Sequence, residues 1–358
     1  MENKSDVSQH RARRFCFVAT ASFVGMLAMV AGFNFLVNPL AEYNTQLVSP
    51  LIPTTRREKV DYLQRATAAP EGIVLGSSRV MKFEPRYLYE VTGTNFYNAG
   101  VNYADPYDYL AIVRFYRRRY GRAPATIVLG LDVPSFSDAV DTDLRLGSTP
   151  ELFREVADDL AMQYRLRPYR DAISWDQTKQ SLRSLVFQVR PSSRPHSLVH
   201  FTDDGVLVYE DREQQLHDGT FDITPHLDYT KSEYEQRVRG FSELSKRKLD
   251  LLRKFFKSCE TDRVEVHVFI TTLHPQLADH LSTTTSYNER RAELCCVLDE
   301  CQREFGFHWR DFSDIESYCG DQRDFVDGVH PLEPNTRKMI DTLWESCRQD
   351  HGGGSALQ

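Results

Sequence analysis

Residues 73–80 read IVLGSSRV: an apolar run climbs into Gly76, and two serines and Arg79 follow where the chain must turn. The run is continuously apolar rather than alternating, as in strands buried on both faces of a parallel sheet. Four more runs repeat the pattern: NFYNAG (95–100), ATIVLGLDV (125–133), VEVHVFITTLHP (264–275) and GFHWRDFS (306–313). Between them, apolar residues recur at helical spacing in YDYLAIVRFYRRRYG, SELSKRKLDLLRKFFKSC, YNERRAELCCVLDECQREFG and NTRKMIDTLWESCRQ, the first closed by Gly121 as a C-cap. Strands alternating with amphipathic helices predict an α/β fold with a doubly wound, mostly parallel five-stranded sheet, flavodoxin-like in arrangement.

The chain has 358 residues, 41% hydrophobic and 27% charged, enough to bury a sizeable core. Its first fourteen residues carry a net charge of +2 and the remainder -9. An acidic body lacks the electrostatic footprint that phosphate backbones require, so nucleic acid is not an expected partner. Phe15–Val37, FCFVATASFVGMLAMVAGFNFLV, is 23 residues without a charge. At ~1.5 Å per residue it can cross a hydrocarbon core of ~30 Å. Arg11, Arg13 and Arg14 stand directly before it, which predicts a cytoplasmic N-terminus and an exported remainder. A cleaved signal peptide is the competing reading, but its apolar region spans only ~7–15 residues.

The expected organisation is a basic cytoplasmic N-terminus (1–14), a transmembrane anchor (15–37), a tether (38–70) with a short helix near Glu58 to Arg65, an α/β domain (71–347) and a flexible tail (348–358). Between about 134 and 239 the strand–helix rhythm lapses. ELFREVADDLAMQYRLRPYRDAISW and TKQSLRSLVFQVR look helical, and VHFTDDGVLVYED, with Asp-Gly between apolar runs, reads as a hairpin. This helical and hairpin insertion is expected to cover the strand ends, where open α/β sheets hold their ligands.

Seven cysteines are present, six of them in the exported region where disulfides can form, with the pairing open. CCVLDEC with His308 and Cys319 lacks the CxxC spacing of a zinc site. His274 and His280 in HPQLADH have no third ligand at metal-site spacing, although His274 follows a strand and could line a pocket. Neither a metal nor a cofactor is expected, and no phosphate-binding glycine motif occurs. Asp311 reads as a turn residue. Arg114–Arg122, RFYRRRYGR, could hold an anionic glycan, though cations also suit a helix C-terminus.

A strand that turns sharply into a helix presents its turn residues at the sheet edge, with backbone N–H groups suited to an oxyanion. Ser77 and Ser78 both occupy such a turn. Their alternative role is to cap the helix that follows. Residues 324–331, DFVDGVHP, place Asp327 three residues before His330, so that a carboxylate can orient an imidazole from the same loop.

In these blocks the chain resembles the SGNH (GDSL-like) hydrolase superfamily. Gly76 aligns with the glycine of its first block, Ser77 takes the aspartate place and Ser78 falls on the nucleophile. Asp327 and His330 fall on the orienting acid and the base, and Gly100, with Asn98 beside it, on the second block's oxyanion donor. The third block normally ends in an asparagine; here Gly130 is in register and Asp132 stands in its place. A carboxylate cannot donate to an oxyanion unless protonated. Three alternatives stay open: Asn102 or Asn98 supplies the donor, Asp132 pairs with Arg79, or activity is weak.

The wording GSSR, followed by NAG and GLD, is similar to membrane-anchored SGNH-like proteins of bacterial exopolysaccharide and cell-wall modification, including alginate O-acetylation and D-alanyl transfer proteins. The resemblance covers roughly residues 70–347 outside the insertion and rests on four short blocks. It implies an inner-membrane protein with a periplasmic domain that transfers acetyl to a glycan, or removes an ester, through an acyl-serine. Its implied partners are a polysaccharide acceptor and an acyl donor or donor-carrying membrane protein. Two other readings stay open: a catalytically silent scaffold of a polysaccharide complex, and an esterase acting alone.

Overall fold

A computed structural model describes residues 4–40, 43, 45, 47–48, 55–138, 146–147, 149–160, 162–190 and 199–352. The chain forms two compact units, Met1–Thr54 with Leu144–Pro150 and Ala157–His196, and Thr55–Asp143 with Glu151–Val156 and Ser197–Gln358.

The second unit is the α/β body. Strands β1 (Gly72–Leu75), β2 (Phe96–Asn98), β3 (Thr126–Leu131), β6 (Glu265–Ile270) and β7 (His308–Asp311) pair in parallel in the order β2-β1-β3-β6-β7. Both faces are covered, which is why the strands read as unbroken apolar runs. Val74 and Val128, side by side in register, join a core with Ile340 and Leu343 of α13 (Glu333–Gly352) and Leu88 of α3 (Pro85–Thr92). Their chain neighbours Ile73, Leu75, Ile127 and Leu129 are equally buried. Helices α4 (Pro106–Tyr120) and α10 (Lys246–Asp262) pack on each other, with Tyr109 and Phe255 edge to face at 6.4 Å. The strand order reverses between β1 and β3, so the ends of these two strands flank the crevice of a doubly wound sheet.

Gly121 closes α4 in the left-handed conformation, φ 70°, as its sequence indicates. The expected hairpin is β4 (Val199–Phe201) against β5 (Leu207–Tyr209), antiparallel, with Gly205 at φ +89°. It leads into α8 (Glu210–His217) and α9 (Thr224–Val238). Helices α11 (Pro275–Thr284) and α12 (Tyr287–Phe305) connect β6 to β7.

Three boundaries are corrected. Helix α2 (Thr55–Arg65), expected within a tether, is built into the α/β unit: Arg56 grips Asp108 at 2.7 Å and Lys59 donates to the Asn98 carbonyl at 2.8 Å, all buried. The helical stretch 151–175 divides into α5 (Pro150–Val156) and α6 (Met162–Asp171), which fall in different units, so the insertion is not one body. Helix α13 runs to Gly352, into the expected tail; residues 353–358 lie outside the described residues.

In the first unit, α1 (Lys4–Val37) contains His10–Val37, a stretch of 28 residues long and apolar enough to cross a membrane. Asn38 ends it at φ 47°, followed by Pro39. Helix α7 (Trp175–Val189) packs against it. Among the described residues Cys16, Cys259, Cys295, Cys296, Cys301 and Cys319 are free thiols, and no disulfide is formed.

Candidate active site

Gly76 leaves β1 at φ +147°, a region that favours glycine, and a Cβ there would lie 2.8 Å from both the Gly130 carbonyl and a Val80 methyl. The chain then makes one 3-10 turn, Ser78–Val80. Val80 is fully buried, and a Cβ on Gly100 or Gly130 would come within 2.8 or 2.4 Å of its methyls. Three glycines, one at each of the first three strand ends, thus form the socket for Val80. That socket fixes the turn carrying the serines.

The two serines take different roles. Ser77 is buried, and its Oγ accepts the Arg79 N–H at 3.3 Å, which is the capping role. Ser78 is partly exposed, and its Oγ lies 2.8 Å from His330 Nε2. His330 Nδ1 is 2.9 and 2.8 Å from Asp327 Oδ1 and Oδ2. An ionised carboxylate can only accept, so Nδ1 carries the proton and Nε2 is left to accept from the Ser78 hydroxyl. Asp327 Oδ1 also accepts the N–H groups of Val329 and His330, at 2.9 and 3.0 Å. Burial would raise the Asp327 carboxyl, but the imidazole and these hydrogen bonds outweigh it and hold it down at about 2.

The loop that carries Asp327 and His330 is tightly held. Val326 N–H donates to the His330 carbonyl at 3.1 Å, and His274 N–H to the Gly328 carbonyl at 2.9 Å. His274 faces Phe325 edge to face and, with its Nδ1, caps α11 by accepting the Gln276 N–H. It is therefore a brace behind the loop, not a residue of the cleft.

The oxyanion assignments change. The Gly100 N–H is donated to Asn98 Oδ1 at 3.0 Å, and Asn98 Nδ2 donates to the carbonyls of Val80 and Phe83 at 2.7 and 3.0 Å. Both residues are buried and clamp the serine turn from below, so neither presents a donor to the cleft. Asn102 does line the cleft, and its side-chain amide has no hydrogen-bond partner among the described residues. The Ser78 N–H, at the start of its turn, is one of the amides that a helix start leaves without an intrahelical partner.

Asp132 is buried at the end of β3 and its charge is met. Its Oδ1 accepts from Thr271 Oγ1 at 2.8 Å and lies 3.6 Å from Arg79 Nε. Arg79 donates from Nη1 to Thr271 Oγ1 at 2.8 Å and from Nη2 to the Tyr234 hydroxyl at 2.7 Å. Burial disfavours the guanidinium charge, but Asp132 and Tyr234 outweigh it and raise the Arg79 pKa. The structure thus pairs Asp132 with Arg79 and, of the two candidate asparagines, leaves Asn102 facing the cleft.

The cleft has a volume of about 280 Å³. Its outer wall is one face of α9, with His226, Tyr229, Glu233 and Arg237 at spacings of three and four, joined by Tyr209 and Arg212 after the hairpin. Arg212 stacks on Tyr209 at 4.8 Å and stands 3.9 Å from Asp327. Tyr103, opposite, is held at φ 52° and donates to Glu233 at 3.3 Å. These wall residues escaped the sequence reading because α9 turns a polar face inward, which apolar periodicity does not flag. The repeat of His226, Tyr229, Glu233 and Arg237 was the available signal.

The other residues singled out in the sequence are structural. His280 pairs with Glu235 at 3.4 Å, and Asp311 pairs with Arg291 at 3.4 Å and accepts the Ser313 N–H. Arg117 and Arg118 bind Asp262 and Glu155, and Arg119 the Gln64 carbonyl. Among the described residues no group of three His, Cys, Asp or Glu is placed to hold a metal. A hydroxyl on an imidazole on a carboxylate, beside free donors in a cleft, is an arrangement for nucleophilic attack on an acyl carbon. Comparison with protein-family models and with curated proteins finds no match.

Proposed function

We propose that this chain is a membrane-anchored serine acyltransferase or esterase of SGNH-like type, acting on acyl groups, chiefly acetyl, of an exported bacterial polysaccharide. The observation that carries the reading is the 2.8 Å contact between Ser78 Oγ and His330 Nε2, with Asp327 at 2.8 Å behind the ring. His330 takes the Ser78 proton as Oγ attacks the acyl carbonyl, and the resulting oxyanion is met by the Ser78 N–H and the Asn102 amide. Collapse releases the donor alcohol, which takes the proton from His330, and leaves an acyl-serine. A glycan hydroxyl or water then gives its proton to His330 and attacks the ester, returning Ser78. The apolar N-terminal helix supports an inner-membrane anchor, and Arg11, Arg13 and Arg14 support a periplasmic catalytic domain.

Mass spectrometry after treatment with an acyl-ester probe is expected to find the label on Ser78. Labelling that persists in both Ser78→Ala and His330→Ala would sink the assignment. Release of free acetate without a glycan acceptor would separate esterase from transferase. The scaffold reading draws on two departures from the family pattern, the carboxylate of Asp132 in place of an amide and Ser77 in place of the first block's aspartate. Full complementation of a deletion strain by Ser78→Ala would favour it.

A further inference from the structure

Helix α7 has its polarity reversed. Gln177, Ser181 and Ser184 are its buried residues, while Trp175, Leu182, Val186 and Val189 stand out along one stripe, 69% exposed at Trp175 and 81% at Val189. Helix α10, in the α/β unit, buries Leu251, Leu252, Phe255 and Phe256 instead. The buried polar face of α7 is in use. Asn34 of α1, fully buried, donates to the Ala172 carbonyl at 2.7 Å and to Thr178 Oγ1 at 2.9 Å, and accepts from Ser181 Oγ at 2.8 Å. Helices associate through small residues and side-chain hydrogen bonds where their surroundings are themselves apolar.

Charge and position agree with that polarity. Residues 162–190 hold six Arg or Lys against two Asp, a net of +4 within a chain of -7. At about 100° per residue, Lys179, Arg183 and Arg190, all exposed, fall along one flank of the apolar stripe. Helix α6 adds exposed Met162, Leu166 and Tyr169. An apolar stripe with a basic flank and aromatic residues describes a helix lying in a membrane interface. The attachment point is also at that level, because Asn34 lies one turn from the end of the helix long enough to span.

We infer that α6 and α7 form a second membrane contact, which lays the stripe from Trp175 to Val189 into the outer leaflet and sets Lys179 and Arg183 against anionic lipid phosphates. This rests on α1 spanning the bilayer. The test uses the full chain reconstituted in vesicles of phosphatidylglycerol and phosphatidylcholine in equal parts, with brominated acyl chains. Bromine is expected to quench tryptophan emission, and the quenched fraction to fall at least twofold in Trp175→Phe, since Trp309 and Trp344 belong to the other unit. In a Leu182→Glu, Val186→Glu variant, Trp175 becomes accessible to aqueous iodide instead. Weaker quenching in phosphatidylcholine alone is expected from the basic flank, and equal quenching overturns its role. If Trp175 meets iodide while the chain resists alkaline carbonate extraction, α1 spans and the proposal is overturned. Shielding from both quenchers overturns it in favour of a protein partner. Release by carbonate overturns the spanning of α1 first, and this inference with it.

Discussion

After β1 the chain enters a 3-10 turn that holds Ser78 partly out of the body; after β3, the adjacent strand, it enters another, Val133–Phe136, that holds Asp132 in. Both residues line the same cleft. Among the described residues the Ser78 hydroxyl meets only His330, whereas the Asp132 carboxylate is met by Thr271 and, at 3.6 Å, by Arg79. The sheet supplies two equivalent positions, and the neighbours of each decide which side chain is left open to the cleft and which is neutralised. Arg79 serves both, since it follows Ser78 in sequence and neutralises the second strand end in space.

Four experiments press on this contrast. The largest effect is expected at the open end: Ser78→Ala or His330→Ala should lower turnover of a chromogenic acetyl ester on the order of 10⁴-fold, and Asp327→Asn by a comparable factor. Retention of a tenth of the activity in Ser78→Ala would erase the distinction between the two ends. At the closed end, Arg79→Met strands the Asp132 carboxylate and should destabilise the fold by about 3–5 kcal/mol in urea unfolding. Adding Asp132→Asn should restore most of that loss; no recovery would mean that Arg79 acts through Tyr234 rather than through the charge.

Between the two ends stands Asn102. Asn102→Ala is expected to lower kcat about 10²-fold with little change in KM, the signature of a donor used in the transition state. A change confined to KM would move Asn102 from oxyanion to substrate contact. The smallest effect is on acid stability. The Asp327 carboxyl is held at about 2 in the fold against an ordinary 3.8. Its contribution is therefore whole above about pH 4 and drains as the pH falls through 2, on the order of 2 kcal/mol. Denaturation curves should fall more gently over that window in Asp327→Asn than in the parent; parallel curves would count against the strong imidazole–carboxylate pair.

Much of the fold was readable because strands buried on both faces leave continuous apolar runs, and all five were visible with their order in the chain. The Asp327–His330 pair was readable because its geometry is local. Asn98 was not: its hydrogen bonds to Val80 and Phe83 depend on how two separate segments fold over each other, and the motif pattern pointed to an oxyanion donor instead. The helix near Glu58 to Arg65 was legible but read as part of a tether, because its hold on the body depends on Arg56 finding Asp108 fifty-two positions away. In α7 the periodicity was plain, but period alone does not say which solvent a stripe faces.

The three glycines around Val80 give a practical criterion. Their service is empty volume, which no single loop can supply, since it is assembled from three separate strand ends. Grafting GSSR onto another scaffold would therefore carry the two serines without their seat. Among chains that share this wording, an alanine at the equivalent of Gly100 or Gly130 should mark those in which the turn carrying the serine has shifted, even where serine, histidine and aspartate all survive.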